Sequence, residues 1–196
     1  MNPIINFEPH KIILASQSPR RQQLLQDMGF TFEIRTHKNV EETFPASFKD
    51  ENIATYLSAL KFNAYQAELA ENEILITADT IVCIDNLMLG KPSNKAQAIE
   101  MLERLSGKSH FVYTGITVGN NKNKTTTFDA SEVFFKTLSF EEIDWYIDTY
   151  KPFDKAGSYG VQEWIGYVGI EKIIGSFYNV MGLPTQKLFE VLKQYI

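Results

Sequence analysis

Two serines and two arginines stand within six residues of one another near the start of the chain, in the run Ser16-Gln17-Ser18-Pro19-Arg20-Arg21. An apolar strand precedes the run, and Pro19 suits the first position of a helix. A helix N-terminus offers unpaired N–H groups and a partial positive charge, both of which favour an anion. Arginines in the first helical turn oppose the helix dipole, but their guanidinium groups match phosphate oxygens. The run therefore predicts an anion site, and a capped helix with solvated arginines is the alternative.

A carboxylate and a lysine form a second candidate site. An apolar strand runs into Thr77-Ala78-Asp79-Thr80, so Asp79 lies where the sites of α/β proteins usually form. Asp79 would bind a divalent cation there or accept a proton from water, although an aspartate that starts a turn is the commoner case. A hairpin predicted to turn at Asp85-Asn86 returns Gly90-Lys91-Pro92 toward the same region. The hairpin would bring Lys91 close to Asp79, and the pair is more informative than either residue alone.

Three weaker signals each have two interpretations. The segment Asp154–Gln162 contains two glycines and mixed polar side chains, as a binding loop or a surface turn would. The acidic pair Glu41-Glu42 is either solvated or serves a metal. Lys61 lies in the middle of a predicted helix, near the edge of its buried face, where lysines usually extend to water. The histidines have no metal-ligand spacing and are treated as structural: His10, His37 and His110.

The composition limits the classes of protein to consider. The chain of 196 residues has a net charge of −5, with 44% hydrophobic and 22% charged residues, as in an ordinary globular protein. The negative charge disfavours a broad nucleic-acid surface. Cys83 is the only cysteine, which excludes an intramolecular disulfide and favours a reducing compartment. The first ten residues lack a signal-peptide pattern and no apolar run reaches the ~18 residues of a membrane span, so we expect a cytoplasmic protein without membrane association.

Strand and helix patterns alternate along the chain and would position these residues. Strands are expected at Lys11–Ala15, Phe32–Thr36, Ile74–Ala78, Ile81–Ile84, Phe111–Val118, Thr125–Lys136 and Tyr167–Ile174. Helices are expected at Pro19–Met28, Asn52–Glu71, Asn94–Leu105, Ser139–Tyr150 and Thr185–Tyr195. Because hairpins occur beside the alternating elements, the predicted fold class is α/β with a mixed twisted sheet and flanking helices.

Several element ends carry recognisable signals. Ser18 is suited to cap the first helix, and Gly29 to stop it. Asn94 can cap the third predicted helix. Ser139 and Glu142 have the spacing of a capping box. The polar run Gly119–Lys124 lies between two strand patterns and predicts a hairpin turn.

Six stretches, in this order, resemble the motifs of the Maf family of nucleoside triphosphate pyrophosphatases and together cover nearly the whole chain. They are Leu14–Arg21, Thr77–Thr80, Leu89–Pro92, Tyr113–Gly115, Asp154–Gln162 and Gly175–Pro184. The resemblance implies a single domain over residues 1–196, with two lobes that share one sheet around a central cleft, similar to the inosine triphosphate pyrophosphatases. It also implies a divalent metal cation, Mg²⁺ or Mn²⁺, and a homodimer.

The same resemblance implies roles for individual residues. Asp79 corresponds to the general base. Phosphate and metal-site positions correspond to Ser16, Arg20, Glu42, Lys61 and Lys91, with Glu42 and Asp79 as metal ligands. Substrate-selecting positions correspond to Arg21, Thr80 and Gln162, and this set resembles the subfamily that acts on dTTP and UTP, or on modified pyrimidine nucleotides, in a house-cleaning role. The chain departs from that subfamily at Glu163-Trp164, since glycine commonly follows the glutamine there.

The expected reaction is hydrolysis of a nucleoside triphosphate to the monophosphate and pyrophosphate, and two other functions compete with it. A nucleotide-sensing regulatory protein, related for example to cell division, would need the same phosphate site but no base. The presence of Asp79 and Lys91 argues against it. A nucleic-acid-binding module is disfavoured by the net charge and by the lack of an aromatic–basic stripe.

Overall fold

The computed structural model describes residues 8–195. Most of the N-terminal segment that lacks a signal-peptide pattern lies outside this range. The strands are β1 Lys11–Leu14, β2 Phe32–Ile34, β3 Glu73–Ile84, β4 Leu87–Leu89, β5 Ser109–Gly119, β6 Lys124–Phe135 and β7 Ile170–Ile174. The helices are α1 Pro19–Asp27, α2 Glu51–Gln66, α3 Lys95–Leu105, α4 Phe140–Tyr150, α5 Trp164–Gly169, α6 Phe177–Met181 and α7 Thr185–Leu192. Short 3-10 turns occupy Ala156–Ser158 and Lys193–Tyr195.

The strands form one seven-stranded sheet in the order β2-β1-β3-β5-β6-β7, with β4 paired to β3 beside this path. Strand β1 pairs in parallel with both β2 and β3. Strand β4 pairs antiparallel with β3, and β7 antiparallel with β6. The sheet is therefore mixed and carries flanking helices, which confirms the predicted fold class.

The chain divides into two compact units. The first contains the described residues up to Asp79, together with Thr114–Asp129 and the segment from Gly182 onward. The second contains Thr80–Tyr113 and Ala130–Met181. Strands β3, β5 and β6 contribute residues to both units.

In the first unit, helix α2 packs its apolar face onto the sheet. Phe62 and Tyr65 of α2 bury their rings against Ile13 of β1 and Leu75 of β3. Strand β5 approaches the same helix at Gly115, where a Cβ atom would lie 2.3 Å from the main-chain oxygen of Ala54. Only glycine permits that distance, so this position fixes how closely β5 and α2 pack.

In the second unit, α3 and α4 pack together over an apolar core. Leu102 of α3 and Tyr146 of α4 are fully buried in this core. Lys95 of α3 forms ion pairs with Asp144 at 2.6 Å and Asp148 at 2.8 Å, both on α4. Both helix starts follow the sequence signals. The Asn94 side chain accepts a hydrogen bond from the main chain of α3, and α4 begins with the predicted capping box.

Four details of the predicted elements are wrong. Strand β3 continues through Asp79 without a break, because Thr80 to Ile84 keep extended backbone. Helix α2 ends at Gln66 instead of near Glu71. Residues Tyr167 to Gly169 belong to α5, so only the second half of the predicted Tyr167–Ile174 strand is extended. Helix α6 was also not predicted from the sequence. It has only five residues, and such a short helix is stabilised by packing more than by its own sequence.

The predicted turns are confirmed. Asp85 and Asn86 adopt positive φ angles of 53° and 61°, as the two central residues of a tight hairpin do. The Asn120 side chain accepts hydrogen bonds from the main chain of Lys122 and Asn123, which closes the β5–β6 turn. Among the helices of residues 8–195, none combines the length and the apolar composition that a bilayer crossing requires.

Candidate active site

The turn from β1 into α1 is organised around Ser16. Ser16 is buried, and its hydroxyl oxygen accepts a hydrogen bond of 3.2 Å from the Ser18 N–H. Its main-chain oxygen accepts another of 3.1 Å from the Gln22 side chain. Ser18 occupies the N-cap position, as predicted, but its side chain makes no capping hydrogen bond. The hydroxyl of Ser18 is therefore not committed to the helix end.

Arg21 joins three segments of the first unit. Its Nε donates to the main-chain oxygen of Gly182 at 2.8 Å, and its Nη1 donates to that of Ala78 at 2.9 Å. The same Nη1 lies 3.4 Å from the Ser16 hydroxyl oxygen. Burial lowers the pKa of Arg21, while the nearby Asp79 carboxylate raises it. The guanidinium thus connects the α1 turn to the residue that directly precedes Asp79.

Lys61 brings two carboxylates together. It lies on α2, and its ammonium forms ion pairs with the Asp79 carboxylate on β3 and, at 2.7 Å, with Glu42. The Lys61 side chain is only 17% exposed. Two carboxylates bind the Lys61 ammonium, so this lysine does not extend freely into water as lysines at such positions usually do. Of the acidic pair Glu41-Glu42, Glu42 is therefore the residue that pairs with Lys61.

The environment of Asp79 shifts its proton affinity. Burial raises the pKa of the Asp79 carboxyl, the charges of Lys61 and Arg21 offset only part of that rise, and Glu42 adds to it. Strand β3 is fixed beside α2 because the Thr77 hydroxyl donates to the Ser58 main-chain oxygen at 2.8 Å. A buried carboxyl with a raised pKa beside a lysine is suited to accepting a proton.

The two carboxylates also suit a divalent cation. Glu42 and Asp79 both reach the Lys61 ammonium, so their oxygens converge on a place that holds a positive charge. Residues 8–195 contain no group of three or more His, Cys, Asp or Glu side chains arranged for a metal. Mg²⁺ commonly takes only one or two carboxylates and completes its shell with water and substrate phosphates. The donor set therefore fits Mg²⁺ or Mn²⁺ and does not fit a structural zinc site.

The other predicted site residues belong to the second unit. Thr80 is partly exposed on β3, and Lys91 is exposed after β4. The Gly157 N–H donates to the Gly90 main-chain oxygen at 3.1 Å, so the loop Asp154–Gln162 contacts the segment that carries Lys91. Gly157 has a φ angle of 68°, a conformation that glycine adopts without strain. That Lys91 approaches Asp79 stays a prediction.

Gln162 ends the loop, and its amide is unusual. Within residues 8–195, the Oε1 atom of Gln162 is buried and has no hydrogen-bond partner. Buried polar atoms are rarely left in that state unless a ligand or another group completes them. The role of Gln162 as a substrate-selecting residue stays a prediction, and this atom is consistent with it.

Three residues around the loop were not predicted as part of the site. Tyr146, Lys155 and Glu163 form a buried hydrogen-bonded cluster beside Gln162. Two signals in the sequence pointed to this cluster: Lys155 lies in the candidate binding loop Asp154–Gln162, and Glu163 departs from the family pattern. His110 is buried and bonded to the Tyr159 hydroxyl at 2.7 Å, as expected of a structural histidine.

Comparison with known proteins places these observations in a family. The sequence profile of a family described as Maf-like protein matches residues 11–195. A dTTP/UTP pyrophosphatase of Bacteroides thetaiotaomicron is 49% identical over 189 residues, covering 96% of this chain and 98% of that protein. A dTTP/UTP pyrophosphatase of Phocaeicola vulgatus is 50% identical over 192 residues, covering 96% and 98%. Among solved structures, a HAM1 protein from Coxiella burnetii aligns with 94% of this chain and 99% of that chain, with a TM-score of 0.49 and 16% identity.

Proposed function

Because the chain belongs to the Maf family, we propose that it is a nucleoside triphosphate pyrophosphatase that hydrolyses dTTP and UTP to the monophosphate and pyrophosphate. The observation that carries the proposal is the Asp79–Lys61–Glu42 cluster, in which a buried carboxyl with a raised pKa stands beside a cation. A nucleotide sensor would use the lysine and a bound cation as well, but it would not need a carboxyl that accepts a proton.

The reaction is the attack of water on the α-phosphorus. A bond forms between the water oxygen and phosphorus, the bond to the β-phosphate bridging oxygen breaks, and pyrophosphate leaves. Asp79 accepts the proton that the water loses, since burial raises its proton affinity. Charge accumulates on the phosphate oxygens during this step, so cations close to them lower the barrier.

The phosphate-binding and metal-binding side chains have separate roles in the proposal. Ser16 and Arg20 bind phosphate oxygens at the start of α1, where the helix dipole also favours an anion. Lys61 and Lys91 supply further positive charge. Glu42 and Asp79 would hold Mg²⁺ or Mn²⁺, which supplies neutralisation of phosphate charge when bound.

Selection of the base is assigned to Gln162 and Thr80. Gln162 offers an accepting oxygen and a donating nitrogen, which suits the edge of a pyrimidine. Thr80 lies one residue after Asp79 and is proposed to support the same choice. A cytoplasmic location and a homodimer are part of the proposal, as is a single domain over residues 1–196. The net charge of −5 supports a small-molecule substrate over nucleic acid.

The test is pyrophosphate release from purified protein. The substrates are the canonical and modified nucleoside triphosphates, each with Mg²⁺ or Mn²⁺, followed by chelation of the metal. We expect dTTP and UTP to be turned over fastest and chelation to abolish turnover. A protein that binds these nucleotides without releasing pyrophosphate would instead be the nucleotide sensor.

A further inference from the structure

Glu163, the residue directly after Gln162, directs its carboxylate back toward the loop. Its main-chain oxygen accepts a hydrogen bond of 2.8 Å from Gly166 and so begins α5. Its side chain lies over Gly160, where a Cβ atom would be 2.7 Å from the carboxylate carbon. The absence of a side chain at Gly160 thus makes the space that the Glu163 carboxylate occupies.

The carboxylate of Glu163 has two buried partners. The Tyr146 hydroxyl donates a hydrogen bond to Oε2, and the Lys155 ammonium lies 3.1 Å from Oε1. The side chains of Lys155 and Glu163 are 9% and 16% exposed, and Tyr146 is fully buried. A buried lysine is costly unless a charge compensates it, and Asp154, its other carboxylate partner at 2.8 Å, is 57% exposed. Glu163 is therefore the main compensating charge.

The hydrogen bonds close a ring around Gln162. The Tyr146 hydroxyl accepts a bond of 3.0 Å from the Gly160 N–H and donates to the Glu163 carboxylate. The Glu163 N–H in turn donates to the Gly160 main-chain oxygen at 3.0 Å. Both residues that flank the Val161-Gln162 dipeptide are thus bound to α4. The main chain at Gln162 has little freedom to move.

Taking the proposed function as its basis, we propose that Glu163 is a positioning residue that holds Gln162 for recognition of a uracil or thymine ring. Within residues 8–195 the Oε1 of Gln162 is buried and has no hydrogen-bond partner. In the proposal this oxygen accepts the N3–H of the ring once the ligand is bound. Uracil and thymine present an N–H donor at N3 between two carbonyl oxygens, whereas N3 of cytosine has no hydrogen. An amide held in one orientation distinguishes these edges, but an amide that rotates freely satisfies both.

The experiment compares UTP with CTP in four single variants, one double variant and a control variant. Gln162→Ala sets the scale of lost selectivity. Glu163→Ala removes the carboxylate, and Glu163→Gln keeps an acceptor for Tyr146 but not the charge. Tyr146→Phe removes the hydroxyl that binds both the Gly160 N–H and the Glu163 carboxylate. Glu171→Gln, an exposed carboxylate on β7, is the control. Measured quantities are kcat and KM for both nucleotides, binding of UMP and CMP by calorimetry, and the thermal midpoint.

We expect the UTP-to-CTP ratio of kcat/KM to fall about tenfold in Glu163→Ala, mainly through a higher KM for UTP. Glu163→Gln should retain part of the selectivity. Tyr146→Phe should lose as much selectivity for UTP as Glu163→Ala. The Tyr146→Phe/Glu163→Ala double variant should lose no more selectivity than either single variant, since both side chains act through one hydrogen-bond network. The Glu171→Gln control should match the parent.

Two results would overturn the inference. One is an unchanged UTP-to-CTP ratio in a folded Glu163→Ala, with or without a lower thermal midpoint. The other is losses of selectivity in Glu163→Ala and Tyr146→Phe that add in the double variant. If Glu163→Ala does not fold, the UTP-to-CTP ratios of Glu163→Gln and Tyr146→Phe test the inference in its place. If the parent protein releases no pyrophosphate, the proposed function fails, and the ratio of UMP to CMP affinities judges the role of Glu163 by itself.

Discussion

The guanidinium of Arg21 donates a hydrogen bond of 2.9 Å to the main-chain oxygen of Ala78, the residue before Asp79. A second bond of 2.8 Å reaches Gly182, which begins the last segment of the first unit. Through these bonds Arg21 sets the position of the strand that carries Asp79. The two neighbouring arginines therefore differ in role: Arg21 binds main-chain oxygens, and Arg20 contacts the phosphates in the proposed function.

For Arg21→Lys we expect kcat to fall about tenfold to a hundredfold, because one ammonium does not reproduce two divergent hydrogen bonds and Asp79 shifts from its position. The dTTP-to-dCTP ratio of kcat/KM should remain within about threefold of the parent, a difference below 1 kcal/mol. Steady-state kinetics with both nucleotides measures this. A large change in the ratio would instead support the substrate-selecting role that the family resemblance implies for Arg21.

For Asp79→Asn we expect turnover to fall by about 10² to 10⁴, since the amide does not accept the proton from water. Nucleotide binding should remain detectable by calorimetry, because the phosphate-binding side chains are intact. Asp85→Asn, in the turn that follows β3, is the matched control and should keep full activity. Near-normal turnover of Asp79→Asn would remove Asp79 from the mechanism.

For Lys61→Met we expect the acid limb of the kcat/KM profile to move to higher pH. The Lys61 charge lowers the pKa of the Asp79 carboxyl, so its removal raises that pKa further, and Asp79 then ionises only at higher pH. The pH–rate profile with UTP measures the shift. Lys49→Met, at an exposed lysine, should leave the profile unchanged. An acid limb that stays in place, or moves to lower pH, would contradict the action of Lys61 on Asp79.

Stability should depend on pH through His110. Burial lowers the pKa of His110 from 6.5 to about 3, so between these values the unfolded chain binds a proton that the folded chain does not. The free energy of unfolding therefore falls as the pH is lowered through this window, by up to about 1.4 kcal/mol per pH unit, and is unaffected by His110 above it. Between pH 7 and pH 5 the loss due to His110 is about 2 kcal/mol.

The variant His110→Gln should remove this part of the pH dependence while keeping a hydrogen bond to Tyr159. Urea unfolding at pH 7 and pH 5 measures it in both proteins. Equal slopes in the parent and His110→Gln would show that another group carries the dependence.

Local signals in the sequence predicted most elements of the fold. The Ser139–Glu142 capping box and the Asp85-Asn86 turn act within a few residues, so their conformations follow from side chains adjacent in sequence. The prediction failed at Tyr167 to Gly169, where apolar residues suit a helix or a strand equally. Packing decides between the two in such a short run.

The sequence by itself determined the family, the mixed α/β class and the residue types of the candidate site, because motif order and hydrophobic period are properties of the chain. Only the tertiary structure decided which side chains these residues contact. Lys61 lies 18 residues from Asp79 in sequence, and α2 beside β3 brings them into contact. Glu163 acquires a role only when Tyr146 of α4 and Lys155 are buried against it. Burial and long-range contact set the charge and position of these groups, and neither can be read from residues in order.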